Sequence, residues 1–307
     1  MAEEVWMLQT KKADFKQIGA RFRIDPVTAR IIRNRGIEGE AAIDRYLNGT
    51  LDDLYDPMLL KDMERAVSIL CEAVDTGKKI RIVGDYDIDG VCSTYILLQA
   101  FERLGSDVDF EIPDRIKDGY GINESIIEQA HADGVEVILT CDNGISAFHQ
   151  VELAKKYGMT VVITDHHEVP LDGEKEKIPP ADAVIDPKQA DCPYPFPEIC
   201  GAVVAYKLVQ VLYARRGVPQ MEWLDLLEFA AIATVGDVMK LQDENRILVK
   251  YGLKKMAQTK NLGLRRLAEK NNLDLGAITA YHIGFVIGPC LNAGGRLKTA
   301  KEALALL

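Results

Sequence analysis

Three carboxylates at alternate positions, Asp85, Asp87 and Asp89, follow the apolar run Ile80–Val83 and lead straight into a helical run over Val91–Leu104. A strand that ends in acids just before a helix sets them at the C-terminal edge of a sheet, where open α/β folds hold their ligands. Carboxylates this close repel one another and raise each other's pKa unless cations neutralise them. A divalent metal site is the first chemistry they suggest. An EF-hand loop would need a bidentate Glu at its twelfth position, which is Ile96 here. A dinucleotide fingerprint would need glycines where the acids stand. The remaining alternative is an acidic, solvated turn, and three further segments count against it.

Asp142 follows the apolar run Val135–Thr140, Asp165-His166-His167 follows Thr160–Thr164, and Asp237 lies in the turn Val235–Val238. Carboxylate oxygens with an imidazole suit Mn²⁺ or Mg²⁺, and the imidazole tilts the choice toward Mn²⁺. Two ions ~3.5–4 Å apart clamp a phosphate and acidify the water between them, which requires a bridging carboxylate. Asp142, alone at the end of a central strand, is the expected bridge. Asp85 and Asp87 are then expected to hold one ion, with Asp89, His166 and Asp237 on the other. Neighbouring His166 and His167 point apart in an extended chain. His166 is accordingly assigned to the metal, His167 to the phosphate or the leaving oxygen, and Asp165 to orienting an imidazole.

The elements that must position these groups follow from the pattern. Pro26–Asn34, Gly39–Leu47 and Lys61–Asp75 carry helix-spaced apolar positions and form a preface. Strands are predicted at Ile80–Val83, Asp107–Ile112, Val135–Thr140, Thr160–Thr164 and Ala183–Ile185, with helices between the earlier ones. This alternation predicts an α/β fold with a mainly parallel, doubly wound sheet. The Pro-, Asp- and Lys-rich stretch 171–197 reads as a surface excursion around the last of these strands. Beyond it, helices are expected at Ala202–Arg216, Glu222–Ala233, Glu244–Gln258, Leu262–Asn271 and Ala300–Leu307, with a Gly-rich stretch at Asn292–Arg296.

The 307 residues suffice for one large or two modest domains, and 48% hydrophobic with 27% charged residues is the balance of an ordinary soluble protein. No apolar run approaches the length of a membrane span, and a cytoplasmic location is expected. Six scattered cysteines without a Cys-x-x-Cys pair argue against a zinc site or a disulfide framework. A net charge of −10 argues against coating nucleic acid through bulk positive charge. It leaves room for a polyanionic substrate, because bound metals and local cations set the sign of the field in a cleft. Candidate substrate contacts are Arg115 for a phosphate, Tyr120 for stacking on a base, and Ser93 in the first turn of the helix after the acids.

Val83–Gly90, Thr140–Gly144, Thr164–His167 and Thr234–Val238 together resemble the four ordered motifs of the DHH phosphoesterase superfamily. The form of the first motif, the Arg115–Gly121 loop, Asn34-Arg35-Gly36 and Glu244-Asn245-Arg246 are similar to the RecJ family of single-strand-specific exonucleases. That resemblance implies Mn²⁺- or Mg²⁺-dependent removal of nucleotides from the 5′ end of single-stranded DNA, in repair and recombination, alongside a helicase and a single-strand-binding protein. It also implies a bilobal body. Residues 1–78 are the helical extension, 79–242 the DHH domain, 243–260 the connecting helix, and 261–307 the start of a DHH-associated second domain that continues in a longer protein. Asn292 and Arg296 match positions implied to contact substrate. Cys290 departs from the pattern, which has an Arg there, and removes one charge-assisted phosphate contact unless it packs as a small buried hydrophobe. Two other readings are a DHH phosphodiesterase acting on short RNA, a cyclic dinucleotide or pyrophosphate, and a non-catalytic scaffold of the Cdc45 kind.

Overall fold

The structure, a computed structural model, describes residues 7, 11–114, 119–297 and 299–307. It comprises two compact units, 1–54 and 55–307. The first holds α1 (Phe15–Phe22), α2 (Pro26–Asn34) and α3 (Glu40–Asn48) around Ile32, Ile37, Ile43 and Tyr46. Asp25 caps α2 by accepting from the N–H groups of Val27 and Thr28, and Pro26 needs no partner in that first turn.

In the second unit α4 (Met63–Asp75) precedes β1 (Ile80–Val83), α5 (Ile88–Arg103), β2 (Val108–Glu111), α6 (Glu124–Ala132), β3 (Val137–Cys141), α7 (Phe148–Lys156) and β4 (Thr160–Thr164). A two-residue hairpin, β5 (Leu171–Asp172) and β6 (Lys175–Glu176), interrupts the surface excursion before β7 (Ala183–Ile185). Five strands form one parallel sheet in the order β2-β1-β3-β4-β7. Runs such as Val137–Cys141 are apolar and buried throughout because helices cover both faces of a parallel sheet. On one face α6 and α7 close over Val83, Ile138, Val161 and Ile163. On the other, α5 packs against α8 (Gly201–Arg216). The chain leaves β1 for β2 on one side and later takes up β3 on the other, so the gap between the ends of β1 and β3 is the topological switch point.

The helical remainder comprises α9 (Gln220–Leu224), α10 (Leu227–Gly236), α11 (Asp243–Met256), α12 (Leu262–Lys270), α13 (Ala280–His282), a π-helix at Ile283–Ile287, α14 (Gly288–Leu297) and α15 (Ala300–Leu306). Three sequence expectations need correction. Helix α5 begins at Ile88, not Val91, because Asp87 caps it and so draws Asp89 into its first turn. The single helix expected over Glu222–Ala233 is divided into α9 and α10. Helix α4, read as part of the preface, belongs to the second unit, where it packs on β7 and α8.

Candidate metal centre

Each acid is presented by a different local device. Asp85 leaves the end of β1 and is 1% exposed; its Oδ1 accepts from Gly121 N–H at 3.3 Å, while Oδ2 has no partner. Asp87 spends Oδ1 on the N–H groups of Asp89 (2.9 Å) and Gly90 (3.0 Å). The acidic loop folds back so tightly that a Cβ at Gly90 would lie 2.4 Å from Asp85 O. Asp89 accepts from Gly201 N–H (2.7 Å) and Ala202 N–H (2.8 Å), so the positive end of α8 faces its carboxylate. Asp142 follows β3 in the left-handed region, at φ 62°, which turns its carboxyl back over the sheet edge. Asp237 closes the C-terminus of α10.

His166 Nε2 lies 3.1 Å from Asp142 Oδ1, 3.4 Å from Asp89 Oδ2 and 3.9 Å from Asp237 Oδ2. His167 turns elsewhere: its Nδ1 is 2.7 Å from Asp165 Oδ1, and Tyr120 Oη is 3.2 Å from its ring nitrogens. Asp165 is a positioning group, since it also accepts from the backbone N–H groups of Ile145, His166 and His167. Tyr120 Oη donates to Asp142 O at 2.8 Å.

Possible ligand atoms fall into three groups, within each of which they lie within 4.8 Å of one another: Asp85–Asp87–Asp142, Asp89–His166–Asp237 and Asp142–His166–His167. Among the described residues no Lys or Arg comes within ion-pair distance of Asp85, Asp87, Asp89, Asp142 or Asp237. The protonation equilibria record that deficit. Burial, then Asp87, pushes Asp85 up to about 7. Burial, then Asp89 and Asp87, does the same for Asp237. Burial and the facing acids hold Asp142 well above the ordinary carboxylate range. Burial lowers His166, leaving its imidazole neutral and able to ligate. Burial also works against protonating His167, but the hydrogen bond to Asp165 outweighs it and the pKa rises. Hard oxygen donors, a neutral imidazole and unpartnered buried atoms on Asp85 and Asp142 fit a divalent cation.

The proposed substrate contacts fare differently. Tyr120 stands at the rim, half exposed, with its hydroxyl turned inward. Ser93 is fully buried in α5 and its hydroxyl has no partner, so it does not face a cleft. Asn292 lies on α14, whereas Arg115 and the side chain of Arg296 fall outside the described residues. Cys290 is exposed, which removes the reading of it as a buried hydrophobe. Two positioning residues went unread in the sequence. Asn143 ties the switch point together by donating to Val83 O and Cys141 O and accepting from Ile122 N–H. Asp186 is buried directly after β7, with Oδ2 unpartnered and its pKa raised to about 7 by burial and then by Asp165. The signal available for it was the one used for Asp142, an acid following a strand.

Residues 79–234, half of the chain, match the family model described as DHH family, N-terminal domain. The chain belongs to the DHH family. It is 37% identical over 303 residues to the single-stranded-DNA-specific exonuclease RecJ of Bacillus subtilis, covering 98% of this chain and 37% of that protein. It is 38% identical over 299 residues to the RecJ of Haemophilus influenzae, covering 94% of this chain and 50% of that protein. The chain therefore spans half or less of the length of these relatives. Among solved structures, exonuclease RecJ bound to manganese superposes with a TM-score of 0.72 at 35% identity, covering 81% of this chain and 61% of that one. RecJ in complex with Mn²⁺ from Thermus thermophilus gives 0.77 at 31% identity, covering 95% and 40%. The DHH fold of these neighbours is the parallel sheet described above.

Proposed function

We propose that this chain carries the catalytic portion of a Mn²⁺- or Mg²⁺-dependent exonuclease that removes 5′-mononucleotides from the 5′ end of single-stranded DNA. The observation that carries the proposal is the meeting of Asp85, Asp87, Asp89, Asp142, His166 and Asp237, from four segments of chain, with no Lys or Arg among the described residues in ion-pair reach of the acids. Relatives named as single-stranded-DNA-specific exonucleases and neighbours solved with manganese supply the substrate class and the metal. When bound, the metal supplies a water acidic enough to attack phosphorus and positive charge for the phosphate oxygens. Asp85, Asp87 and Asp142 would hold one ion, and Asp89, His166, Asp237 and the shared Asp142 the other. His167 holds a proton in reach of the leaving oxygen, and Asp165 fixes the imidazole orientation that makes this possible. Tyr120 fixes the carbonyl of Asp142 and sets its ring edge-on against that of His167.

In the same proposal, residues 79–242 are the catalytic domain, 243–260 the connecting helix and 261–307 the start of a second domain, with 1–78 as an extension whose last helix, α4, packs on the catalytic domain. Its place of action is the cytoplasm, alongside a helicase and a single-strand-binding protein. No described helix is long and apolar enough to cross a membrane. The test is digestion of 5′- and 3′-labelled single strands with Mn²⁺. Mononucleotide released first from the 5′ label, and abolished by Asp142→Ala, is expected. Release first from the 3′ label, or cleavage confined to cyclic dinucleotides or pyrophosphate, would overturn it.

A further inference from the structure

A second cavity, of about 290 Å³, lies between α5, α10 and the chain just after α11. It is lined by Tyr95, Gln99 and Arg103 of α5, by Glu228 and Phe229 of α10, by Lys255 in the last turn of α11, and by Lys260 and Asn261 beyond. Tyr95 and Arg103 are six and fourteen residues past Asp89 on one helix, roughly 9 and 21 Å along its axis at 1.5 Å per residue. Glu228 stands nine residues before Asp237, roughly 13 Å by the same measure. The cavity and the metal centre therefore occupy opposite ends of two shared helices.

The floor holds an unsatisfied group. Glu228 is 3% exposed; its Oε1 accepts from Thr259 Oγ1 at 2.6 Å, and its Oε2 has no partner. Leaving a buried carboxyl oxygen unpaired costs free energy that a donor on a ligand would recover. Beside it, the rings of Tyr95 and Phe229 lie 4.3 Å apart, tilted by 46° to one another, and offer two aromatic surfaces, and the Tyr95 hydroxyl accepts from Asn261 Nδ2 at 3.0 Å. At the rim, Arg103 pairs with Glu222, while Lys255 and Lys260 share Asp225. Three cations against two acids leave the rim one positive charge in excess. A ligand suited to these features is planar, presents an N–H donor at its inner end and carries an anion at its outer end.

We infer that this cavity binds a nucleoside monophosphate whose base bears an exocyclic amino group: the amine meets Glu228, the base lies along Tyr95 and Phe229, and the phosphate reaches Arg103, Lys255 and Lys260. Burial pushes Glu228 up to about 7, so its carboxyl can accept from an amine or donate to a ring nitrogen. The inference does not depend on the exonuclease proposal, because it concerns binding without metal. It is tested by calorimetric titration of dAMP, and of the same nucleotide with unsubstituted purine in place of adenine, into the whole chain in EDTA. Expected are saturable binding of dAMP at one site and binding of the purine nucleotide, which lacks the amine, about tenfold weaker or more. The near-isosteric Glu228→Gln should weaken dAMP about tenfold and reduce its preference over the purine nucleotide, with the melting temperature checked for each variant. Gln99→Trp, which fills the cavity from the partly exposed face of α5, should abolish binding, whereas Asp142→Asn should leave it unchanged. Absence of binding at millimolar dAMP, equal affinity for both nucleotides, indifference to both cavity substitutions, or loss on Asp142→Asn would each overturn the inference.

Discussion

Strand β1 carries acid-rich chemistry at both of its ends, and the two ends are resolved in opposite ways. At the start, Arg81 is 7% exposed; it grips Asp109 through both guanidinium edges (2.7 and 2.8 Å) and reaches Asp133 at 2.9 Å. Burial alone would raise the Asp109 pKa, but its hydrogen bonds with Arg81 and Lys79 bring it below the ordinary value. Four residues on, roughly 13 Å along an extended strand, Asp85, Asp87, Asp142 and Asp237 have no such partner among the described residues, and each is raised. The same sheet thus supplies a cation where acids serve structure and withholds one where they gather at the switch point. A buried cluster of acids without its own cation costs stability, and an external divalent ion is what would repay it.

The sharpest way to break this contrast is Asp142→Asn. Loss of turnover by about 10²-fold or more is expected in a metal-saturated assay, since changing a group that only orients a metal ligand already costs about 10–100-fold. The metal-free variant should melt higher than the parent, because one facing charge is gone. A lower melting temperature would contradict the account of repulsion. Asp165→Asn should reduce turnover about 10–100-fold by releasing His167, with Mn²⁺ affinity read by calorimetry nearly unchanged; loss of metal binding would instead make Asp165 a ligand.

The two ends also predict opposite pH slopes. At the metal centre the folded pKa values of Asp85 and Asp237 are about 7, above the ordinary 3.8. Their contribution is fully present below the unfolded value and is lost as pH rises through about 7. Asp109 is lowered in the fold, so its contribution is present above the unfolded value and is lost on acidification. Metal-free protein should therefore lose stability between about pH 4 and 7, and Mn²⁺ should reverse that slope because its ligands must be deprotonated. Denaturant midpoints at both pH values, with and without Mn²⁺, check this. Arg81→Met should cost roughly 2–3 kcal/mol of stability, for the charged bonds to Asp109 discounted for solvent screening. Metal affinity should be unaffected. The smallest effect belongs to Tyr120→Phe, which removes a hydroxyl worth about 1 kcal/mol, seen as a several-fold fall in turnover.

Much of the centre was legible because it is assembled from short local rules. An apolar run, then an acid, then a helix recurs after β1 and β3, and the type of each side chain limits the ions it can hold. The strands Ile80–Val83, Thr160–Thr164 and Ala183–Ile185 are found at the expected bounds for the same reason. What escaped depends on partners distant in sequence. Capping by Asp87 moved the start of α5, and the burial of Ser93 follows from packing around that helix. Asn143 had motif membership but no readable job, since its bonds reach back 60 residues to Val83. The pairing of Arg81 with Asp133 is equally silent in the sequence, because it depends on which loops meet at the lower edge.

Gly201 is neither a ligand nor in the left-handed region, yet a Cβ there would sit 2.7 Å from both Cβ and Oδ1 of Asp142. The first turn of α8 is thereby pressed against the acid at the switch point, and even one added methyl must displace one of them. In a survey of tolerated substitutions across the chain, position 201 should look as restricted as the acids themselves. A catalogue drawn up by side-chain chemistry would miss it, because its contribution is the room that it leaves.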